Sequence, residues 1–170
     1  GGGSTAASTS MLLWEIDRPL TTLTEAYGFE RAARAYRASL DAVSGLQALV
    51  AGLGIACDLR EKNSLYLAAG SDAASLLEEH RLRERAGLPG EFLDHGLLHD
   101  TFMMSRAGAI VSPGAADCDP LQLSRGLLQV AASRGARLFD AEAVAFDASG
   151  RRAIVGLENG REIEVRSVVL

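Results

Sequence analysis

Between Phe29 and Val50 the apolar residues Phe29, Ala33, Tyr36, Leu40, Val43, Leu46 and Val50 recur at steps of three and four. Arg31, Arg34, Arg37 and Asp41 fall on the opposite side. A strand cannot use this period, because its successive side chains face opposite ways. The stretch therefore predicts a long amphipathic helix, ended by the glycines of Leu49-Val50-Ala51-Gly52-Leu53-Gly54. One apolar stripe of that length needs other elements to cover it. The 170 residues are the size of one ordinary domain, able to bury roughly 70% of the unfolded surface.

The covering elements can be read on both sides. Pro19 starts a short helix that stops at Gly28. Residues 55–69 predict a hairpin: Ile55 to Arg60, a turn at Glu61-Lys62-Asn63, then Ser64 to Ala68. A charged helix is expected over residues 72–86, ending at Gly87. Residues 88–105 carry no clear period, with a short helix expected around Phe92-Leu93. Ala109-Ile110-Val111 reads as a short strand running into Ser112-Pro113-Gly114. The next helix has Asp119 as N-cap, Pro120 at its first position and Gln122 at the third position of a capping box. It runs through Leu127 and Leu128 to Ser133 and stops at Gly135. A three-stranded meander closes the chain, over Ala136–Phe146, Arg152–Leu157 and Glu162–Leu170, with Asn159-Gly160 as a primed hairpin turn. Val168-Val169-Leu170 is continuously apolar, as in a strand buried on both faces. The expectation is a chain that stops as it enters a second sheet, leaving an unpaired edge that favours association. The fold class is α+β.

Composition removes several functions. Hydrophobic residues make up 48% and charged residues 23%, which is globular composition. A net charge of −5 argues against a nucleic-acid or anionic-membrane surface. No window holds 18 consecutive apolar residues, and no signal-peptide pattern is seen, so a cytoplasmic protein is expected. Cys57 and Cys118 have no motif spacing and read as small buried hydrophobes in a reducing compartment.

Most candidates for chemistry carry bland readings. His95 and His99 stand at i,i+4, but no Glu lies between them and Gly96 weakens a helix there, so both read as surface histidines and no metal site is assigned. His80 reads as solvated. Ser8 and Ser112 lack the Gly-x-Ser-x-Gly elbow of a hydrolase nucleophile. Phe102-Met103-Met104 reads as core. The first twelve residues, Gly-Gly-Gly-Ser-Thr-Ala-Ala-Ser-Thr-Ser-Met-Leu, leave the main chain almost bare, so its N–H groups can approach an anionic ligand such as a pyrophosphate closely. The same composition suits a flexible linker. No complete Gly-x-Gly-x-x-Gly follows a strand.

Taken in order, four stretches resemble the FAD-dependent oxidoreductases of the D-amino-acid oxidase type, the family holding glycine oxidase and sarcosine oxidase. Gly3 to Leu12 resembles the family's loop after the second Rossmann strand. Ser112 to Pro120 resembles the approach to the helix before the adenine-side strand. Gly135 to Phe139, with Val144, resembles that strand. Ile163 to Leu170 resembles the strand leading into the family's Ala-Thr-Gly turn. The resemblance implies an internal piece of a two-domain FAD-binding oxidoreductase: a helical region, part of the substrate-domain sheet and the meander. It implies an FAD-contacting loop and following segment over 1–18, helices and partial substrate-domain sheet over 19–118, and a helix plus meander of the FAD-binding domain over 119–170. Ser4, Thr5, Thr9, Ser10 and Met11 would touch FAD, and Val144 would hold the adenine end. The implied reaction oxidises an amine or amino-acid C–N bond by hydride transfer to FAD. No position matches a catalytic residue of the family, so none is assigned. The 170 residues alone are expected to hold FAD weakly or not at all. Two other readings fit the same pattern: a non-catalytic interaction module on this scaffold, and a 2-hydroxy-acid or glycerol-3-phosphate dehydrogenase.

Overall fold

A computed structural model describes residues 4–70, 73–150 and 152–169. Asp72, the expected start of the charged helix, lies outside the described residues, as do Gly3 of the opening loop and Leu170 of the last expected strand. The elements in order are a turn of 3-10 helix over Ser4–Ala7, β1 (Met11–Leu12), α1 (Leu20–Tyr27), α2 (Phe29–Leu53), β2 (Arg60–Leu67), α3 (Ala74–Arg85), β3 (Glu91–Asp94), α4 (His95–Phe102), β4 (Gly108–Asp117), α5 (Pro120–Ser133), β5 (Ala143–Asp147), β6 (Ala153–Leu157) and β7 (Glu162–Val165). The α+β reading holds. Two compact units divide the chain, one running to Val130 and the other from Ala131 onward.

The expected amphipathic helix is α2, and its stripe serves two clusters. Phe29, Ala33, Tyr36, Leu40 and Val43 pack with Trp14, Leu20, Ala86 and Leu88. Leu46 and Val50 pack with Cys57, Cys118 and Leu123. Gly54 takes a left-handed φ of +64°, and the bonds Ile55 N to Val50 O and Gly54 N to Ala51 O close the last turn. That pair of bonds satisfies carbonyls the helix would otherwise leave open.

β4 is the spine of the first sheet. β2 runs antiparallel along one edge for its whole length, while β3 and then β1 pair with the other edge. The expected hairpin over 55–69 does not form; residues 60–67 are one strand, because β4 supplies a partner far along the chain. β4 also continues past the point where Pro113-Gly114 read as its end. The register with β2 slips there by one residue, and Gly114 has φ +92°. A bulge absorbs both a residue without an N–H and one in a conformation that favours glycine. The freed Pro113 carbonyl accepts the indole N–H of Trp14 at 2.8 Å. Phe92-Leu93, expected in a helix, belongs to β3 by pairing with Ile110 and Ala109.

The charged helix α3 is not solvated all round. Glu79 and Arg83 are each 2% exposed. Glu79 accepts from the Leu20 N–H at 2.9 Å and the Thr21 N–H at 2.8 Å, so it caps α1 from outside, where Pro19 offers no side-chain cap. Its Oε1 also accepts from Arg83 Nε at 2.8 Å.

The second unit holds the meander, β5–β6–β7, antiparallel throughout. Residues 136–142, expected as strand, are irregular, and β7 ends at Val165 with Val169 left 96% exposed.

Two substitutions test this account. Glu79→Ala strands the Arg83 guanidinium and two N–H groups, and chemical denaturation is expected to show a loss of about 3–5 kcal/mol. Gly126 on α5 leaves no room for a methyl group, since an added Cβ would lie 2.4 Å from Ile55 Cγ2. Gly126→Ala should therefore destabilise by about 1 kcal/mol in the same assay, despite alanine's better helix propensity.

Candidate functional site

The opening loop builds one wall of a cleft of about 550 Å3 in the first unit. After the 3-10 turn, the Ser10 N–H donates to Ser8 Oγ at 3.2 Å, and Ser10 sits at φ +68°. Its carbonyl accepts the Cys118 N–H at 3.2 Å. Met11 and Leu12 then pair with Asp117 and Ala116 as β1. The loop is thus stitched to the end of β4. Ser10 holds a conformation that disfavours a Cβ, at a cost of about 1 kcal/mol or more.

The opposite wall comes from residues the sequence reading did not group with the loop: Asp58, Arg60, Asp117, Cys118, Asp119, Pro120 and Leu121. Arg60 Nε donates to Asp58 Oδ1 at 3.1 Å, and a second bond joins the same guanidinium and carboxylate. Lys62 lies 3.4 Å from Asp117. Asp119 caps α5 as expected: Oδ1 accepts the Leu121 and Gln122 N–H groups at 2.9 Å, and Oδ2 accepts Gln122 Nε2 at 2.8 Å. These bonds, the Gln122 N–H first, hold the Asp119 carboxyl below the usual carboxylate range. Burial, reinforced by neighbouring Cys57, pushes the Cys118 thiol up, so it behaves as a buried hydrophobe.

The charge of the lining decides what fits. Three aspartates face one arginine, which opposes a pyrophosphate at this spot. Hydroxyls and open backbone along residues 8–11 suit an uncharged ring system with polar edges.

Thr9, Ser10 and Met11 line the cleft, together with Ala6 and Ser8. Ser4 and Thr5 stand upstream on the exposed 3-10 turn and outside the lining. Val144 begins no part of this wall; it lies on β5 in the second unit, 57% exposed.

Other candidates resolve individually. His95 and His99 are exposed on α4, with His95 Nδ1 2.8 Å from the Arg106 carbonyl. α4 forms despite Gly96 because Asp94 caps it, accepting the Leu97 N–H at 2.9 Å. His80, expected to be solvated, is half-buried with Nε2 3.4 Å from the Gly90 carbonyl and its ring 6.1 Å from Phe92. Phe102 and Met103, expected in the core, are exposed, because α4 ends there with Met103 at φ +56°.

A family model for FAD dependent oxidoreductases matches residues 1–170. The chain belongs to that family, whose cofactor is FAD. Among curated proteins none matches it. Among solved structures it is similar to glycine oxidase from Geobacillus kaustophilus, with TM-score 0.71 and 23% identity over 99% of this chain and 45% of that one. It is also similar to L-proline dehydrogenase from P. horikoshii, with TM-score 0.67 and 14% identity over 97% and 41%. Iminodiacetate oxidase from Chelativorans sp. BNC1 matches with TM-score 0.56 and 25% identity over 95% and 43%. The chain spans less than half the length of these structures. No helix among the described residues is long and apolar enough to cross a membrane.

The cap on α5 sets a pH dependence. Because the folded carboxyl of Asp119 titrates below its ordinary value, its contribution is full above the ordinary carboxylate range and is lost as pH falls through the folded value. Asp119→Ala should lower the thermal midpoint at neutral pH, and calorimetry should find the difference from wild type shrinking below about pH 4.

Proposed function

We propose that the chain supplies one wall of the flavin site of an enzyme that oxidises an amine or amino-acid C–N bond. The observation that carries this reading is the cleft walled by Ser8, Thr9, Ser10 and Met11 and closed by the β4–α5 junction, in a chain of this family. Bound there, FAD would supply a two-electron acceptor for hydride. Thr9, Ser10 and Met11 would lie against the ring through main-chain groups and short side chains, and Ser4 and Thr5 would meet the cofactor further along. Val144 would hold the adenine end.

The names of the solved relatives support the substrate class, since they include oxidases of glycine and iminodiacetate and a dehydrogenase of L-proline. In this reading residues 1–18 are the FAD-contacting loop and its following segment, 19–118 the helices and partial substrate-domain sheet, and 119–170 the helix and meander of the FAD-binding domain. Two free buried cysteines fit a reducing compartment such as the cytoplasm.

Titration of FAD into the isotopically labelled chain, followed by NMR, tests the site. Weak, saturable binding is expected, with shifts confined in the first unit to residues 4–11 and 117–121. No shift of those residues at about 1 mM FAD, well above a weak Kd, would overturn the assignment.

A further inference from the structure

We infer that Arg83 positions the cofactor loop, acting through Glu15 and Trp14, which follow β1 directly. Three observations meet at this side chain. Its guanidinium carbon lies 5.8 Å from the Trp14 ring centroid, 5.7 Å from Tyr36 and 5.2 Å from Tyr66, so aromatic faces surround it. Its Nη1 stands 3.8 Å from Glu15 Oε1, with the Arg83 side chain 2% and the Glu15 side chain 9% exposed. Its Nε is held by Glu79, which caps α1. A buried cation with this surround is attracted to the ring faces and to the carboxylates more strongly than a surface pair would be.

The mechanical path from Arg83 to the loop is short. Trp14 is fully buried, stands edge-on to Tyr36 with centroids 6.3 Å apart, and donates its indole N–H to the Pro113 carbonyl. Glu15 accepts from the Ser64 hydroxyl, and Ser64 Oγ also lies 3.4 Å from the Ser112 carbonyl. Residues 14 and 15 are therefore pinned to β2 and to the β4 bulge from one side and to Arg83 from the other. Only Leu13 separates them from β1, whose two residues continue into Ser10 and Thr9 of the cleft wall. β1 has just two residues paired, extended by the single Cys118 N–H bond to the Ser10 carbonyl, too short a ladder to hold register alone, so the anchor at Trp14-Glu15 fixes where the loop lies. The consequence for cofactor binding rests on the flavin reading of the cleft; the mechanical claim stands apart from it.

The test compares Arg83→Lys with Leu98→Ala, a cavity variant at a fully buried site on α4, in the 170-residue chain. Lysine keeps the charge and loses the planar fork that meets Glu15 and Glu79 together. With both variants measured at the same distance from their thermal midpoints, hydrogen exchange at Met11–Trp14 is expected to rise about tenfold in Arg83→Lys and to match wild type in Leu98→Ala. The emission of Trp14, the one tryptophan of the chain, should shift in the first variant alone. Where Arg83→Lys fails to fold, Glu15→Gln keeps a carbonyl for Ser64 while removing the charge that faces Arg83, and the same selective rise is expected. Exchange that in Arg83→Lys rises evenly across the first unit, or that at Met11–Trp14 rises no more than in Leu98→Ala, would overturn the proposal and leave Arg83 a packing residue. If exchange rises selectively but wild type shows no FAD shifts, positioning stands and the flavin reading fails.

Discussion

Glu79 and Arg83 sit one helical turn apart on α3, both shielded from water, and three parts of the first unit are built around them. The carboxylate closes the N-terminus of α1, which has no cap of its own. The guanidinium joins α3 to Trp14 and Glu15, and through Tyr36 and Tyr66 it touches α2 and β2. Glu79 and Arg83 are tolerated here because they bond to one another and Glu79 also takes two N–H groups of α1; the same side chains left unpaired would cost several kcal/mol.

Around that centre, β4 decides where chemistry can occur. Its ten residues are buried for most of their length, and the bulge at Pro113-Gly114 lets it carry three neighbouring strands without breaking. At its end, Asp117, Cys118 and Asp119 lead straight into the cap of α5, and β1 brings the bare-backboned loop alongside. The cleft is thus a junction of a strand end, a helix start and a loop. Such places expose backbone groups that regular elements would otherwise use up.

Much of this was legible locally. The stripe on α2, the stop at Gly54 and the Asp119-Pro120-Gln122 start of α5 each depend on residues within one or two turns of one another. Their physics is complete in a short window. The turn expected at Asn159-Gly160 forms but is not a primed one, since Gly160 alone of the pair has positive φ. Thr9, Ser10 and Met11 could be nominated because small residues leave the main chain open, whatever surrounds them. The partners of that loop could not be nominated. Asp58 and Arg60 fall inside an expected hairpin, and nothing near them announces that Arg60 pairs instead with Asp117 of β4. His80, Phe102 and Met103 were misjudged for a related reason: burial of a single side chain depends on what packs above it.

The sequence by itself determined α1, α2, α3 and α5, the α+β class and the family likeness, because periodicity, capping and glycine placement act over a few residues. Tertiary structure alone decided that β2 is one strand, that Pro113 lies within β4, and that two charges of a polar-looking helix are buried. Those outcomes follow from pairing and desolvation between segments far apart in the chain, where a residue's free energy is set by its neighbours in space.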